Sequence, residues 1–294
     1  MGTLFSDGRA NAGRQLEMDM ARGLAVLFMI FVHTQEYFST GAAYDTVLGG
    51  AVAFFGGLPA APAFMFLLGA SVHYSGKASP QALVQRGFGL LAAGYALNLA
   101  RAFLPFGLLW LIERQDWQSA AALESLAYVD ILQFAGLAFV VLGLVRLSGR
   151  PLLLAALGIP AAWALQAALA GVQYDGGIAA ALSGLLWGSS ELSFFPLLSW
   201  LAYPLAGFMY GHFLIRCADK PRFSLYALAV SLAVLAGAWL VLRVWLGREL
   251  GMEGAAAYYH HGWDAGIVYL SFTVAWLNLL YRSEERRVGK ECRS

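Results

Sequence analysis

Apolar runs long enough to cross a bilayer recur along this chain. A backbone that enters hydrocarbon must satisfy its own N–H and C=O groups, so each run is read as a helix. Eight runs lie near the length of about 20 residues that a span needs: 19–38, 59–76, 82–104, 126–147, 151–171, 195–216, 223–246 and 264–282. Composition agrees, since the 294 residues are 60% hydrophobic and only 13% charged, against about a quarter charged in soluble domains. The expected fold class is therefore all-α, a polytopic transmembrane helix bundle with about eight spans. Three further stretches are apolar but short. Residues 46–58 (TVLGGAVAFFGGL) and 176–190 are expected as interfacial or re-entrant pieces, and 105–112 as a half-span or interfacial helix.

Lys and Arg orient these spans. With the N-terminus in the cytoplasm, Arg9, Arg14, Arg22, Lys77, Arg86, Arg146, Arg150, Arg216, Lys220, Arg222 and Arg282 fall inside. Arg101, Arg114, Arg243 and Arg248 fall outside, eleven against four. A signal peptide would also begin with a basic segment and an apolar run. Here the polar HTQE interrupts before any cleavage site, so the first span is read as retained. The net charge of +1 argues against a nucleic-acid partner. Cys217 and Cys292 form no disulfide framework, and no histidine, cysteine or carboxylate spacing marks a metal site. The last twelve residues, SEERRVGKECRS, lose the apolar pattern and read as a foreign, vector-derived tail. The expected organisation is a single transmembrane domain over 1–282 and that tail over 283–294, with further helices in the natural protein.

The first span carries the polar pattern of most interest. In RGLAVLFMIFVH, ten apolar or glycine residues separate Arg22 from His33. Eleven steps of about 100° bring both side chains to one helix face, about 16 Å apart along the axis. Asp19 precedes Arg22 by three and Glu36 follows His33 by three, so each is placed to touch its neighbour on the same stripe. A polar stripe at membrane depth is expected to face a bundle interior or a water-filled cavity. Each residue has a plainer reading beside this one. Arg22 alone is an ordinary positive-inside anchor, and His33 alone is an interfacial histidine.

Other polar groups are weaker signals. Asp130 and Gln133 are three apart in the fourth span, toward the outer side; they read as acceptor-binding or, for Asp130, as orienting His33, and equally as interfacial residues. Asn98 and Asn278 are expected to make interhelical hydrogen bonds, and Gly207 and Gly211 to form a close-packing face. His73 and His212 lie near inner helix ends. His260 and His261, with Tyr258, Tyr259 and Trp263, read as an aromatic interface belt or a sugar platform.

The segments LEMDMARGLAVLFMIFVH, PAFMFLLGASVHYS, YVDILQFAGLAF and FFPLLSWLAYPLAGFMYGHF resemble, in order, four blocks of the heparan-α-glucosaminide N-acetyltransferase catalytic-domain family. They spread over residues 16 to 213. "Arg, ten residues, His" is similar to the first-helix motif of O-antigen-modifying membrane acyltransferases. The resemblance implies an integral membrane acyltransferase moving an acyl group, usually acetyl, from cytoplasmic acyl-CoA to an acceptor that often lies across the membrane. Carried onto this sequence, Arg22 lies near the CoA phosphates, with Lys77, Arg86, Arg216 and His73 on the same side, and His33 lies near the reacting thioester. The eukaryotic enzymes have a histidine proposed as catalytic in the loop after the first helix. This sequence has none between 34 and 72, so His33 is matched through the O-antigen-type motif.

A guanidinium suits a phosphate. A neutral imidazole suits either removal of a proton from an attacking acceptor or direct attack on the thioester. The expected catalytic residues are thus His33, Glu36 and Asp130; the donor is held by Arg22, Arg86, His73 and Arg216, and the acceptor by Gln133 and Asp130. Acetyl-CoA is the expected donor substrate, no metal is expected, and the acceptor is a sugar or amino sugar. A bacterial inner membrane is the expected location, and an oligomer is compatible with the sequence. Two rivals stay open: a proton-coupled small-molecule transporter, which would commonly show internal repeats, and a non-enzymatic membrane scaffold. The topology has a direct test. In intact cells, a cysteine placed at Asp45 should be labelled from outside and one at Lys77 should be protected; the reverse pattern would invert the topology.

Overall fold

The structure is a computed structural model that describes residues 3–76, 78–174, 177–190, 192–245, 247 and 255–291. The side chains at 245, 255–256 and 286–291 are not among those described. Lys77, Arg248 and Cys292, assigned above to inner, outer and tail positions, lie outside the described residues. The chain is all-α, and the described helices run α1 Leu16–Phe38, α2 Gly41–Tyr44, α3 Val47–Phe55, α4 Ala61–Ser71, α5 Pro80–Asn98, α6 Leu104–Glu113, α7 Asp116–Ser125, α8 Ile131–Leu147, α9 Pro151–Leu169, α10 Gly177–Trp187, α11 Leu197–Trp200, α12 Ala202–Arg216, α13 Lys220–Leu240, α14 Ala255–Tyr259 and α15 Trp263–Glu291.

Among the described residues, five continuous helical stretches are long and apolar enough to cross a membrane: Val47–Ser71, Pro80–Glu113, Pro151–Leu169, Lys220–Val244 and Trp263–Glu285. The other expected spans are shorter or more polar. α8 has 17 residues and α12 has 15. α1 has 23, but Asp19, Arg22, His33, Gln35 and Glu36 interrupt its apolar character. Two expectations for short stretches change. Residues 47–55 are not a separate interfacial piece, because a π-turn at Gly56–Ala60 carries α3 into α4. Likewise Leu99–Phe103 carries α5 into α6. Pro59 lies inside the first π-turn and Pro105 just after the second. Proline lacks an N–H, and the wider turn lets the helix pass it without a break. By contrast, 195–216 is not one helix. Pro204 denies a donor to the carbonyl of Trp200, and the helix breaks at Leu201.

The chain forms two compact units. The first comprises residues 1–75, 203–251 and 264–294. Its helices meet where glycine removes the side chain. A Cβ at Gly69 would strike the Pro204 carbonyl, and one at Gly207 the Phe66 carbonyl, so α4 and α12 lie backbone to backbone. Gly211 continues the seam, 2.5 Å from the Ala70 carbonyl when given a Cβ. The expected close-packing face is therefore the contact of α12 with α4. Asn278 of α15 accepts from the Tyr210 hydroxyl of α12 at 3.2 Å, an interhelical bond as its position suggested. At one end of this unit Lys220, beginning α13, pairs with Glu17 of α1 at 2.9 Å and covers the Tyr281 ring at 4.6 Å. Glu17 is only 3% exposed, so this pair clamps three helices with little competition from water.

The second unit comprises residues 76–202 and 252–263. α5 and α8 form its antiparallel spine, again through glycine: Gly87 meets the Gly136 carbonyl, Gly94 meets the Gln133 amide and Gly143 meets Val84 and the Pro80 carbonyl. At the end where α8 begins, Val129 bridges to Ser193, and Trp200 donates its indole N–H to the Tyr259 carbonyl at 2.9 Å. Tyr258, Phe195 and His261 pack their rings around Trp200, and His261 is 3% exposed. Of the cluster expected as an interface belt or sugar platform, His261 is buried, Tyr258, Tyr259 and His260 are half-buried and Trp263 is 46% exposed. Gly188, at φ +75°, sits against His260, where a Cβ would lie 2.5 Å from the imidazole.

Two tests follow from this packing. Gly207→Leu should destabilise the protein by about 1–3 kcal/mol or prevent folding, because it forces α12 off α4; thermal unfolding in detergent measures it, and an unchanged Tm would remove the close contact. Burial lowers the His260 pKa below its ordinary 6.5, with a hydrogen bond to the Ser193 backbone working against the shift. The unfolded chain then takes up the proton first, so stability should be full above pH 6.5 and fall as pH drops through it. His260→Gln should flatten that part of a pH–Tm profile, and an unaltered profile would exonerate this group.

Candidate functional site

α1 supplies the first unit with two polar stations. The helix is continuous from Leu16 to Phe38, so the stripe of Asp19, Arg22, His33 and Glu36 runs along one face. The expected neighbour contacts are both formed: Arg22 Nη1 lies 3.2 Å from Asp19 Oδ1, and His33 Nδ1 lies 2.9 Å from Glu36 Oε2. The rest of the helix face anchors against neighbours. Phe28 stacks on Phe55 at 4.9 Å, and Gln35 donates to the Gly49 carbonyl at 3.3 Å.

The Arg22 station gathers groups from distant parts of the sequence. Its Nη2 donates to Ser71 Oγ, 2.9 Å away at the end of α4. His73, in the turn that follows, packs its ring on Phe208 at 4.5 Å and edge-on to His212 at 5.6 Å. Arg216 ends α12 with its side chain exposed. Residues 3–15 lie against this end: Ser6 donates its N–H to the Arg216 carbonyl at 2.9 Å, and Asn11 donates its N–H to the Ile215 carbonyl at 3.0 Å. Thus Arg22, His73 and Arg216, expected on one side, do lie at one end of the first unit. Cys217 follows directly, buried, and burial pushes its thiol up, so it behaves as packing and not as a nucleophile.

The His33 station is more open. His33 and Glu36 side chains are 50% and 39% exposed, and the Tyr37 ring lies 6.4 Å from the imidazole. An ionised carboxylate only accepts, so in the neutral ring Nδ1 carries the proton and Nε2 the lone pair.

Arg86, Asp130 and Gln133 belong to the second unit. The Arg86 guanidinium covers the Phe139 ring at 4.5 Å, on the α5–α8 seam. Asp130 is the N-cap of α8 and not a residue within it: its carboxylate accepts from Ile131 N at 2.7 Å, and Gln133 Oε1 accepts from Asp130 N at 3.2 Å, closing a capping box. Gln133 is fully buried, and its NH2 donates to the Tyr128 carbonyl at 3.3 Å. Asp130 also pairs with Arg101 at 2.9 Å, while Arg101 donates to Asn98 Oδ1 at 3.3 Å and Asn98 donates to the Tyr128 carbonyl at 2.8 Å. Arg101 and Asn98 were not among the expected site residues. The signal for them was their spacing of three within an otherwise apolar run. Among the described residues no group of three or more His, Cys, Asp and Glu is arranged to hold a metal.

No curated protein and no solved structure matches this chain. The family model for the heparan-alpha-glucosaminide N-acetyltransferase catalytic domain matches residues 14–246, a stretch that contains both stations of α1 and the whole of the second unit's α5–α8 spine. The helical stretches able to cross a membrane agree with that assignment, and the chain belongs to the heparan-alpha-glucosaminide N-acetyltransferase catalytic-domain family of membrane acyltransferases.

Proposed function

We propose that this chain moves an acyl group, acetyl in the first instance, from acyl-CoA on the cytoplasmic side of a bacterial inner membrane to a sugar or amino-sugar acceptor. The observation that carries the reading is the pair of stations on α1: Arg22 held by Ser71 and Asp19, and His33 held by Glu36, eleven residues further on. The family supports acyl transfer over the transporter and scaffold readings.

The donor's phosphates pair with Arg22, with His73 and Arg216 beside it. Its thioester then has to reach His33, about 16 Å along the helix, and the flexible arm of CoA is what bridges such a gap. Nε2 of His33 takes the proton from the acceptor amine or hydroxyl as that atom forms its bond to the acyl carbon. The carbon–sulfur bond breaks, the CoA thiolate leaves, and it recovers a proton from the imidazolium. Glu36 holds the ring in this tautomer and stabilises its charged form. In the variant route His33 itself attacks the acyl carbon and passes the group on. Within the second unit, Asp130, about 30% exposed in its pair with Arg101, remains a candidate for acceptor binding, with Gln133 buried beneath its capping box.

Acyl-CoA binding by calorimetry beside transfer in proteoliposomes tests the division of labour. Arg22→Ala should weaken acyl-CoA affinity. His33→Ala should leave affinity within a few-fold and slow transfer by about 100-fold or more. Glu36→Gln should cause a smaller loss. Transfer at the wild-type rate by His33→Ala would sink the catalytic assignment.

A further inference from the structure

The N-terminal segment before α1 is tied down too firmly to be a trailing end. Beyond the backbone bonds of Ser6 and Asn11, Leu4 accepts from Ala218 N at 3.0 Å, and Asn11 Nδ2 donates to the Leu214 carbonyl at 3.2 Å. Phe5 packs on Phe213 at 5.7 Å and on Phe223 at 6.1 Å. These ties make residues 4–11 a strap across the ends of α12 and α13. One residue of the strap reaches further. Arg9 Nη2 donates to the His73 carbonyl at 3.0 Å. Arg22 is anchored on Ser71, two residues earlier in the same chain end, so the two anchor points are at most about 7 Å apart along the backbone.

Two guanidiniums from different parts of the sequence therefore share one anchoring segment, with the His73 and His212 rings between α4 and α12 beside them. Asp19 already neutralises Arg22 in part and pairs with Arg14 at 2.7 Å. Among the described residues Arg9 makes no ion pair with a carboxylate, and it is exposed. Two planar forks anchored two residues apart on one short segment suit an anion with more than one phosphate better than a single phosphate, since each can bind bidentately. Arg9 is also placed as any cation at the C-terminal end of α4 would be, and that plainer role predicts a different experimental outcome.

We infer that the strap is part of the donor site, and that Arg9 joins Arg22 in binding the diphosphate of the donor's nucleotide. This rests on the donor reading proposed above. The test uses the full chain in neutral detergent, with three probes: acetyl-CoA, acetyl-pantetheine (which lacks the nucleotide) and inorganic pyrophosphate. Arg9→Ala should weaken acetyl-CoA about 10-fold, the scale of one hydrogen bond to a charged group. It should leave acetyl-pantetheine unchanged and abolish competition by pyrophosphate. Arg9→Gln keeps an N–H for the His73 carbonyl but removes the charge. It should show the same donor loss with an unchanged Tm, which separates binding from capping even if the alanine variant folds poorly. Equal acetyl-CoA affinity in wild type and Arg9→Gln would overturn the inference and leave Arg9 as a helix cap. Competition for the site by phosphatidylglycerol in mixed micelles as strong as that by pyrophosphate would reassign the anion to a lipid headgroup, and would also overturn it. If wild type binds no acetyl-CoA at all, the donor reading itself falls, a result distinct from a silent Arg9.

Discussion

Every helix here answers to one constraint: within hydrocarbon a backbone amide that is not bonded inside the protein has nothing else to bond to. That requirement explains features that look like exceptions. Where Pro59 and Pro105 remove a donor, the helices widen into π-turns and carry on. Where Pro204 does so, the helix stops, in a stretch where Trp200 and Leu201 already close short turns on Pro196 and Leu197. The same constraint sends polar side chains to the helix ends. Glu17 and Lys220, and Asp19 and Arg22, pair near helix ends, and Arg101, inside the continuous Pro80–Glu113 stretch, pairs with Asp130 at the start of α8. An isolated charge at mid-depth would cost several kcal/mol.

With the hydrophobic effect absent between lipid-facing helices, close packing has to hold the units together, and glycine supplies it. The α4–α12 seam at Gly69, Gly207 and Gly211 has a consequence beyond stability. It fixes the end of α4 against the end of α12, and those ends bear Ser71, His73, His212 and Arg216. The groups proposed for the donor are therefore set by a close backbone contact, which is the arrangement an accurately placed site requires. In the second unit the α5–α8 seam similarly brings Asn98 and Arg101 to the start of α8, where they meet Tyr128 and Asp130.

What could be read from the sequence was what depends on short-range periodicity. The stripe of α1 follows from a 3.6-residue repeat, and both of its i,i+3 contacts are formed. Gly207 and Gly211 announced a close contact through their spacing of four, although not that Phe66 and Ala70 would be the partners. Span boundaries were harder. Hydropathy sums over a window, so it cannot tell a π-turn that continues a helix from a break that ends it; both have a proline within or near them in an apolar run. Asp130 was placed inside a helix because its neighbours are apolar. Its role as N-cap depends on the φ and ψ of one residue, which composition does not encode. Arg101 as the partner of Asp130, and Arg9 beside His73, join residues 29 and 64 apart in sequence, and no local pattern carries such pairs.

The two stations on α1 make sense as parts that must be kept apart. A fixed guanidinium beside a catalytic imidazole would disfavour its protonated form, the state it passes through when it acts as a base. Placing Arg22 and His33 about 16 Å apart weakens that repulsion, while a shared rigid helix preserves their spacing. Glu36 then acts on the imidazole at 2.9 Å, and Asp19 on the Arg22 guanidinium at 3.2 Å while also pairing with Arg14 at 2.7 Å. Each station has a carboxylate one turn away, Asp19 beside Arg22 and Glu36 beside His33. In the proposed reading, the ten apolar or glycine residues between them let one helix hold an anion at one end and a proton acceptor at the other.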